Sequence, residues 1–137
     1  MGRVELENLA KIGLLHEEPF ARQEYANLID SGRVRLKDSR RAELSIESRF
    51  DLAYNAAHSL ALAALRRTGY RSVNRITVFS ALVHTAQLPA ATCRLFVTAH
   101  GLRNAAEYEG EIELDERFTA EFINAVGALS DSMPPSD

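Results

Sequence analysis

The chain has 137 residues, of which 46% are hydrophobic and 26% are charged, and its formal net charge is -3. These proportions are those of an ordinary globular domain, and they exclude disordered, fibrous and membrane-spanning classes. The slight negative charge gives no overall attraction for a polyanion, so nucleic acid would have to meet a local basic patch. We expect one domain over residues 1–129, followed by a polar, proline-bearing and disordered tail at 130–137.

Cysteine content and apolar runs indicate where the protein resides. The single Cys93 cannot form an internal disulfide, and no Cys and His spacing is typical of zinc binding. The first residues lack the apolar core of a signal peptide, and no run approaches the length of a membrane span. We therefore expect a cytoplasmic protein with no metal, no cofactor and no membrane contact.

Two helices are predicted before residue 42. Apolar residues near helical spacing predict a short helix over Val4–Leu15 and, after a break, a long helix from Pro19 to Arg41. The second half of the long helix carries five basic residues, namely Arg33, Arg35, Lys37, Arg40 and Arg41. These side chains form either a solvated face that suits the helix dipole or a strip that binds phosphate.

The segment from Ser45 to Gly69 is the longest apolar helical pattern and predicts a central, buried helix. Ser45 can accept a hydrogen bond from an amide of the first turn, and Gly69 can adopt a left-handed cap. His58 lies within this apolar pattern, and we interpret it as a packed core residue rather than a ligand or a base.

The remaining chain predicts further helices. Asn74 can cap a helix that ends at Pro89, the next helix runs from Ala90 to Gly110, and Asp115 caps a last one that reaches residue 129. No strand pattern is present. We expect an all-α fold, an antiparallel bundle of four main helices plus a short N-terminal helix.

Four polar residues share one stripe on the helix from Ala90 to Gly110, namely His100, Arg103, Asn104 and Glu107. They could form a network that only orders the helix, in which Arg103 pairs with Glu107 and Asn104 bonds to a neighbouring helix. Alternatively, they could form a binding surface.

The segment Leu102–Gly110, LRNAAEYEG, follows the alanine-rich helix RFDLAYNAAHSLALAALRRTGY, and together they resemble the HEPN superfamily. These are small helical proteins of prokaryotic toxin-antitoxin and defence systems. The resemblance covers residues 19–129 and implies a homodimeric helical bundle. It also implies that active members cut RNA without a metal, using an arginine and, a few residues later, a histidine across the dimer cleft.

Under this resemblance, Arg103 matches the motif arginine and Asn104 matches the polar residue that follows it. Tyr108 stands where active members have histidine. A phenol with a pKa of about 10 stays protonated at neutral pH, so it cannot replace an imidazole as the base. His100 could substitute, because it lies one helical turn before Arg103 on the same side.

Three functions follow from these residues. The first is a module with weak or no catalysis that binds RNA, a nucleotide or an antitoxin-like partner protein through Arg103, Asn104, Glu107 and Tyr108. The second is a metal-independent ribonuclease in which Arg103 acts with His100 or Tyr108. The third is a structural adaptor that binds no ligand.

Overall fold

The computed structural model describes residues 2–110 and 113–135, and the chain is mostly helical over these ranges. The helices there are α1 (Arg3–Lys11), α2 (Arg22–Ser39), α3 (Ile46–Arg67), α4 (Arg75–Ser80), α5 (Leu82–Thr85), α6 (Ala90–Glu109) and α7 (Glu116–Ser132). Two short strands, β1 (His16–Glu17) and β2 (Tyr70–Arg71), pair antiparallel, with His16 opposite Arg71. The all-α class is confirmed, whereas this strand pair was not expected from the sequence.

The core is built around α3, which contacts α2, α4, α5, α6 and α7. As predicted, residues on most of its circumference are buried, including Phe50, Leu60 and Leu65. Its many alanines let neighbouring helices come close. Gly32 of α2 lies so near that a Cβ atom there would be 2.7 Å from Leu60 Cγ, so the contact requires glycine.

Three of the predicted helix starts are confirmed by hydrogen bonds at the caps. The Ser45 hydroxyl accepts from the Ser48 amide at 3.1 Å, and Asn74 Oδ1 accepts from the Ile76 amide at 3.1 Å. The Asp115 carboxylate accepts from two amides of the first turn of α7. Gly110 ends α6 in a left-handed conformation with φ of +82°. Each cap involves residues only a few positions apart, so it can be recognised in the sequence without knowledge of the packing.

The single helix predicted between Asn74 and Pro89 is wrong, because two short helices, α4 and α5, meet at Ala81. This segment contains the β-branched residues Ile76, Thr77, Val78 and Val83, which have low helix propensity. The two pieces also pack differently, since α4 lies mainly on α6 whereas α5 also contacts α1.

The C-terminal segment differs from the disordered tail expected over 130–137. Helix α7 continues to Ser132, and Met133 is buried. The Tyr25 hydroxyl donates to the carbonyl oxygen of Pro134 at 2.6 Å. Apolar burial and this long-range hydrogen bond order a segment whose composition alone is typical of disorder. Residues 136 and 137 of the expected tail lie outside the described ranges.

A buried arginine ties the strand pair to the helices. Arg66 donates to the Glu24 carboxylate at 2.9 Å and to the carbonyl oxygens of Glu18, Pro19 and Tyr70 at 2.9, 2.6 and 3.2 Å. Arg71 pairs with Glu18 at 2.9 Å and with Glu24. We call Arg66, Arg71, Glu18 and Glu24 the Arg66 network. Arg66 binds the carbonyl oxygens of residues 18 and 19, which lie before the first turn of α2. Helix α2 starts at Arg22, so the start predicted at Pro19 is wrong.

None of the helices in the two described ranges combines the length and the apolar character needed to cross a bilayer.

Candidate functional site

Helices α3, α4 and α6 bring together five polar and aromatic side chains, one of which is a buried tyrosine. Tyr54 of α3 is 1% exposed and lies at the centre. The guanidinium groups of Arg75 and Arg103 each lie 5.8 Å from the centroid of its ring, within cation-π distance. We call Tyr54, His58, Arg75, His100 and Arg103 the Tyr54 cluster.

His100 is held by hydrogen bonds at both ring nitrogens. Its Nδ1 lies 3.1 Å from the Tyr54 hydroxyl, and its Nε2 lies 3.1 Å from the amide nitrogen of Asn104. An amide nitrogen can only donate, so Nε2 accepts and the proton of the neutral ring is assigned to Nδ1. Nδ1 therefore donates to the hydroxyl oxygen of Tyr54, and neither nitrogen is free to accept another proton while these bonds last.

The electrostatic surroundings keep His100 neutral. Burial lowers the pKa of His100 and the positive charge of Arg75 lowers it further, whereas Glu107 opposes both effects. A neutral imidazole is compatible with the two hydrogen bonds, because its Nε2 must be an acceptor.

His58 lies at the edge of the same cluster, 6.0 Å from the ring of Phe79 in an edge-on arrangement. Burial lowers the pKa of His58 to about 4, and the positive charge of Arg75 contributes. The ring is therefore neutral at physiological pH. The interpretation of His58 as a packed core residue is met only in part, because its ring packs against Phe79 but is half-buried.

Arg103 has one close carboxylate partner and one distant one. Its Nη1 donates to Glu107 at 2.9 Å, whereas its Nε lies 3.6 Å from Asp51. The Nε atom is buried and has no hydrogen-bond partner among the described residues. The predicted pair of Arg103 and Glu107 is thus confirmed. The predicted partner of Asn104 is wrong, since it bonds to His100 on its own helix rather than to a neighbouring helix.

Beside Arg103 is a small pocket of about 140 Å³ between α3 and α6. Its polar lining includes Asp51, Arg103 and Glu107. The pocket can admit a small group next to the guanidinium, but Glu47 also lines it, so three carboxylates lie around the one positive charge.

Tyr108 lies apart from the cluster and is 89% exposed. Five residues of helix place it about 140° around α6 from Arg103. His100, Arg103, Asn104 and Glu107 are therefore linked by direct contacts, but Tyr108 could reach only a ligand that extends along the helix.

Sequence reasoning missed Tyr54, Arg75 and Asp51. Arg75 is exposed and forms no ion pair with a carboxylate of the described residues. Its place on Tyr54 depends on how α4 packs against α3, and no local motif could have indicated this contact.

The basic residues of α2 are partly committed to internal contacts. Arg33 donates to the Ser130 hydroxyl and carbonyl oxygens, both at 3.0 Å, and Arg41 pairs with Glu43 at 2.8 Å. Arg35 bonds to the Ser31 hydroxyl. These contacts favour the structural interpretation of the strip over a phosphate-binding one.

Across residues 2–110 and 113–135, no group of three or more His, Cys, Asp or Glu side chains is arranged to hold a metal ion.

Comparison with protein-family models, with curated proteins and with solved structures gave no match. The site is therefore interpreted from its own geometry and chemistry.

Proposed function

We propose that this chain is a HEPN-like antiparallel helical bundle that binds single-stranded RNA or a nucleotide through the Tyr54 cluster, with weak or no catalysis. The observation that carries the proposal is the pair of guanidinium groups from α4 and α6, each 5.8 Å from the centroid of the Tyr54 ring. The four long helices and the place of Arg103 on α6 agree with the resemblance. A role in a toxin-antitoxin or defence system, and a homodimer, belong to the same proposal.

Phosphate is the chemical group that suits the two arginines. A guanidinium presents several N–H donors in one plane and can bind two phosphate oxygens at once. Arg75 is exposed, and the Arg103 side chain retains 29% exposure, although its Nε is buried. The exposed Arg103–Glu107 pair contributes only about 0.3–0.5 kcal/mol, so a phosphate can displace Glu107 at little cost.

Tyr108 supplies a surface for a base. Its ring is almost fully exposed, and stacking on an aromatic ring contributes about 1–3 kcal/mol per base without reading the sequence. Asn104 and Glu107 lie between Tyr108 and the cluster along α6. A ligand that spans a phosphate and an adjacent base can therefore use both ends of this face.

Weak or absent catalysis follows from the state of His100. Metal-independent cleavage of RNA needs a group that takes the proton of the ribose 2′-hydroxyl. Both nitrogens of His100 are engaged by Tyr54 and Asn104, and the phenol of Tyr108 is a poor base near neutral pH.

The proposal is tested by the affinity of a fluorescent single-stranded RNA for the unmodified chain and two alanine variants. Arg75→Ala should weaken binding about tenfold, which corresponds to loss of a hydrogen bond to a charged group. Arg94→Ala is the matched control, because Arg94 is exposed on α6 about 180° around the helix from Arg103. Equal affinities of the Arg75 and Arg94 variants would contradict the proposal.

A metal-independent ribonuclease is the second candidate, favoured by the position of His100 beside Arg103 on the Tyr54 ring. RNA incubated with the unmodified chain in a chelator should stay intact under the first proposal. Cleavage that leaves cyclic phosphate ends, and that is lost in both Arg103→Ala and His100→Ala, would establish the ribonuclease instead.

A structural adaptor would show neither binding nor cleavage, and Arg103→Ala would change only its melting temperature. If the same face binds an antitoxin-like partner protein instead of RNA, neither Arg75→Ala nor Arg103→Ala should change the affinity for RNA.

A further inference from the structure

The last described residues, Met133–Pro135, form an extended segment that lies against α2 and α3. Met133 has φ of -71° and ψ of 127°, near the polyproline II conformation. The two prolines that follow have φ fixed near -65° by their rings. The segment therefore leaves α7 in a conformation that makes no hydrogen bonds within itself, so its carbonyl oxygens are available to other groups.

Two side chains, Tyr25 and Arg67, hold this segment, and Phe20 packs against both of them. We call Phe20, Tyr25 and Arg67 the Tyr25 groove. The Tyr25 hydroxyl donates to the Pro134 carbonyl at 2.6 Å, and Arg67 Nη1 donates to the Pro135 carbonyl at 3.0 Å. The Arg67 guanidinium lies 5.7 Å from the ring centroid of Phe20 and 5.3 Å from that of Tyr25. Two donors thus meet two successive carbonyl oxygens beside an aromatic pair.

This arrangement selects proline-rich backbone. A proline has a carbonyl oxygen but no N–H, so a groove that offers donors satisfies all of its backbone hydrogen bonding. Aromatic walls that pack against proline rings are the usual partners of preformed polyproline II segments. Burial raises the pKa of Tyr25, while Arg67 and Arg33 oppose that rise, and the hydroxyl keeps the proton that it donates.

The groove is open and has room for a longer ligand. Phe20 is 41% exposed. One surface pocket, of about 360 Å³, extends from Tyr25 along Ile29 and Arg33 of α2. A second, of about 280 Å³, lies beside Arg67 and Thr85. Residues 133 and 134 border both pockets, so concave surface is present on two sides of the chain's own segment.

We propose that the Tyr25 groove binds a proline-rich segment of a partner protein, and that residues 133–135 occupy it as an intramolecular competitor. A tethered segment acts at an effective concentration on the order of millimolar, so it screens the groove against weak ligands. A partner must offer more contacts, in the two adjoining pockets, to displace it.

The test uses the full chain with Pro134→Gly and Pro135→Gly, which frees the segment's backbone and removes both rings. A fluorescent, N-acetylated peptide Met-Pro-Pro-Ser-Asp should bind this variant at least tenfold more tightly than the unmodified chain. Adding Arg67→Ala should reverse the gain, whereas adding Arg94→Ala should not. A peptide with alanine at both prolines should bind at least fivefold more weakly.

The proposal is overturned if the glycine variant and the unmodified chain bind the peptide equally, or if neither binds it at millimolar concentration. It is also overturned if Arg67→Ala has no effect. Circular dichroism and thermal melting report whether the double variant is folded. If it is not, Pro135→Gly alone keeps the buried Met133 and the Tyr25 hydrogen bond to residue 134. That variant should bind the peptide about threefold more tightly, and an unchanged affinity would again overturn the proposal.

Discussion

Arg66 and Arg103 show what separates the structural part of this molecule from the part proposed to bind a ligand. Arg66 is 1% exposed and bonds to one carboxylate and three carbonyl oxygens. Arg103 is 29% exposed, has one hydrogen-bonded carboxylate and leaves Nε without a hydrogen bond among the described residues. All three nitrogens of the first guanidinium are hydrogen-bonded within the fold, whereas the second is partly exposed and less fully bonded.

The same contrast extends to the groups around each arginine. Strand residues and carboxylates surround Arg66, so its network joins β1 and β2 to the ends of α2 and α3. Arg103 also has two carboxylates nearby, Glu107 at 2.9 Å and Asp51 at 3.6 Å. It differs from Arg66 in sharing an aromatic ring with another arginine, Arg75, and with His100. Substitutions in the Arg66 network should therefore change stability, and substitutions in the Tyr54 cluster should mainly change binding.

The largest effect is expected for Arg66→Met. This change leaves three backbone carbonyls and part of the Glu24 carboxylate without their donor, and it should lower the free energy of unfolding by about 3 kcal/mol. Urea denaturation measures the loss, with Arg94→Met as the exposed control that should change it by less than about 0.5 kcal/mol. Folded Arg66→Met protein should keep its affinity for RNA. A stability equal to that of the control would mean that the network does not hold the fold.

The second effect is a difference in pH dependence between the two regions. His58 has a pKa of about 4 in the fold. The folded chain therefore binds fewer protons than the unfolded chain between pH 6.5 and 4, and its stability falls as the pH falls through that window. After allowance for partial solvation, we expect a loss of about 2 kcal/mol from this residue. Urea denaturation at pH 7 and at pH 4.5 measures this loss in the free energy of unfolding. In His58→Phe, most of the difference between the two pH values should disappear.

The Arg66 network should respond at lower pH. Burial alone would raise the pKa of Glu24, but hydrogen bonds from Arg66 and Arg71 outweigh it, and the pKa lies below 4.5. Its stabilisation is present above pH 4.5 and is lost as the pH falls through the lowered pKa. Glu24→Gln should flatten the stability curve only below pH 4.5. If His58→Phe instead flattened the stability curve below pH 4.5, the assignment of one pH range to His58 and the other to Glu24 would be wrong.

The third effect is the stability of Arg103→Ala, expected to fall by only about 1 kcal/mol. The variant loses an exposed pair with Glu107 and a partly exposed cation-π contact with Tyr54. Thermal and urea unfolding compare it with Arg66→Met. A loss as large as that of Arg66→Met would place Arg103 in the structural part of the molecule.

The smallest effect on stability is expected for Tyr108→Ala, because its ring is 89% exposed. The free energy of unfolding should change by less than about 0.5 kcal/mol. Affinity for single-stranded RNA should fall about fivefold, as expected for the loss of one stacked base, and Tyr108→Phe should retain it. An alanine variant with unchanged affinity would remove Tyr108 from the proposed binding face.

The elements and caps that depend on neighbouring residues could be predicted from the sequence. Ser45, Asn74 and Asp115 each accept an amide hydrogen bond two or three residues away, and Gly110 has the left-handed conformation that ends α6. The apolar circumference of α3 likewise predicted its burial. Such features need no knowledge of how the helices pack.

The composition of the site could be predicted only in part. Arg103 and Glu107 are four residues apart, so their pair follows from helical spacing. Tyr54 and His100 are 46 residues apart, and Arg66 and Glu24 are 42 residues apart. These contacts depend on the packing of α3 against other helices, and a single sequence carries no periodic signal for them. The docking of residues 133–135 on Tyr25 was missed for the same reason.

The most direct test of the binding proposal is the affinity of single-stranded RNA over a series of salt concentrations, in chelator. The unmodified chain, Arg103→Ala and Arg94→Ala are compared. We predict that Arg103→Ala weakens binding about tenfold and reduces the slope of log affinity against log salt by about 0.7, as expected for one lost phosphate contact. Arg94→Ala should match the unmodified chain. Equal affinities and slopes for all three proteins would contradict the assignment of the Tyr54 cluster as a phosphate-binding site.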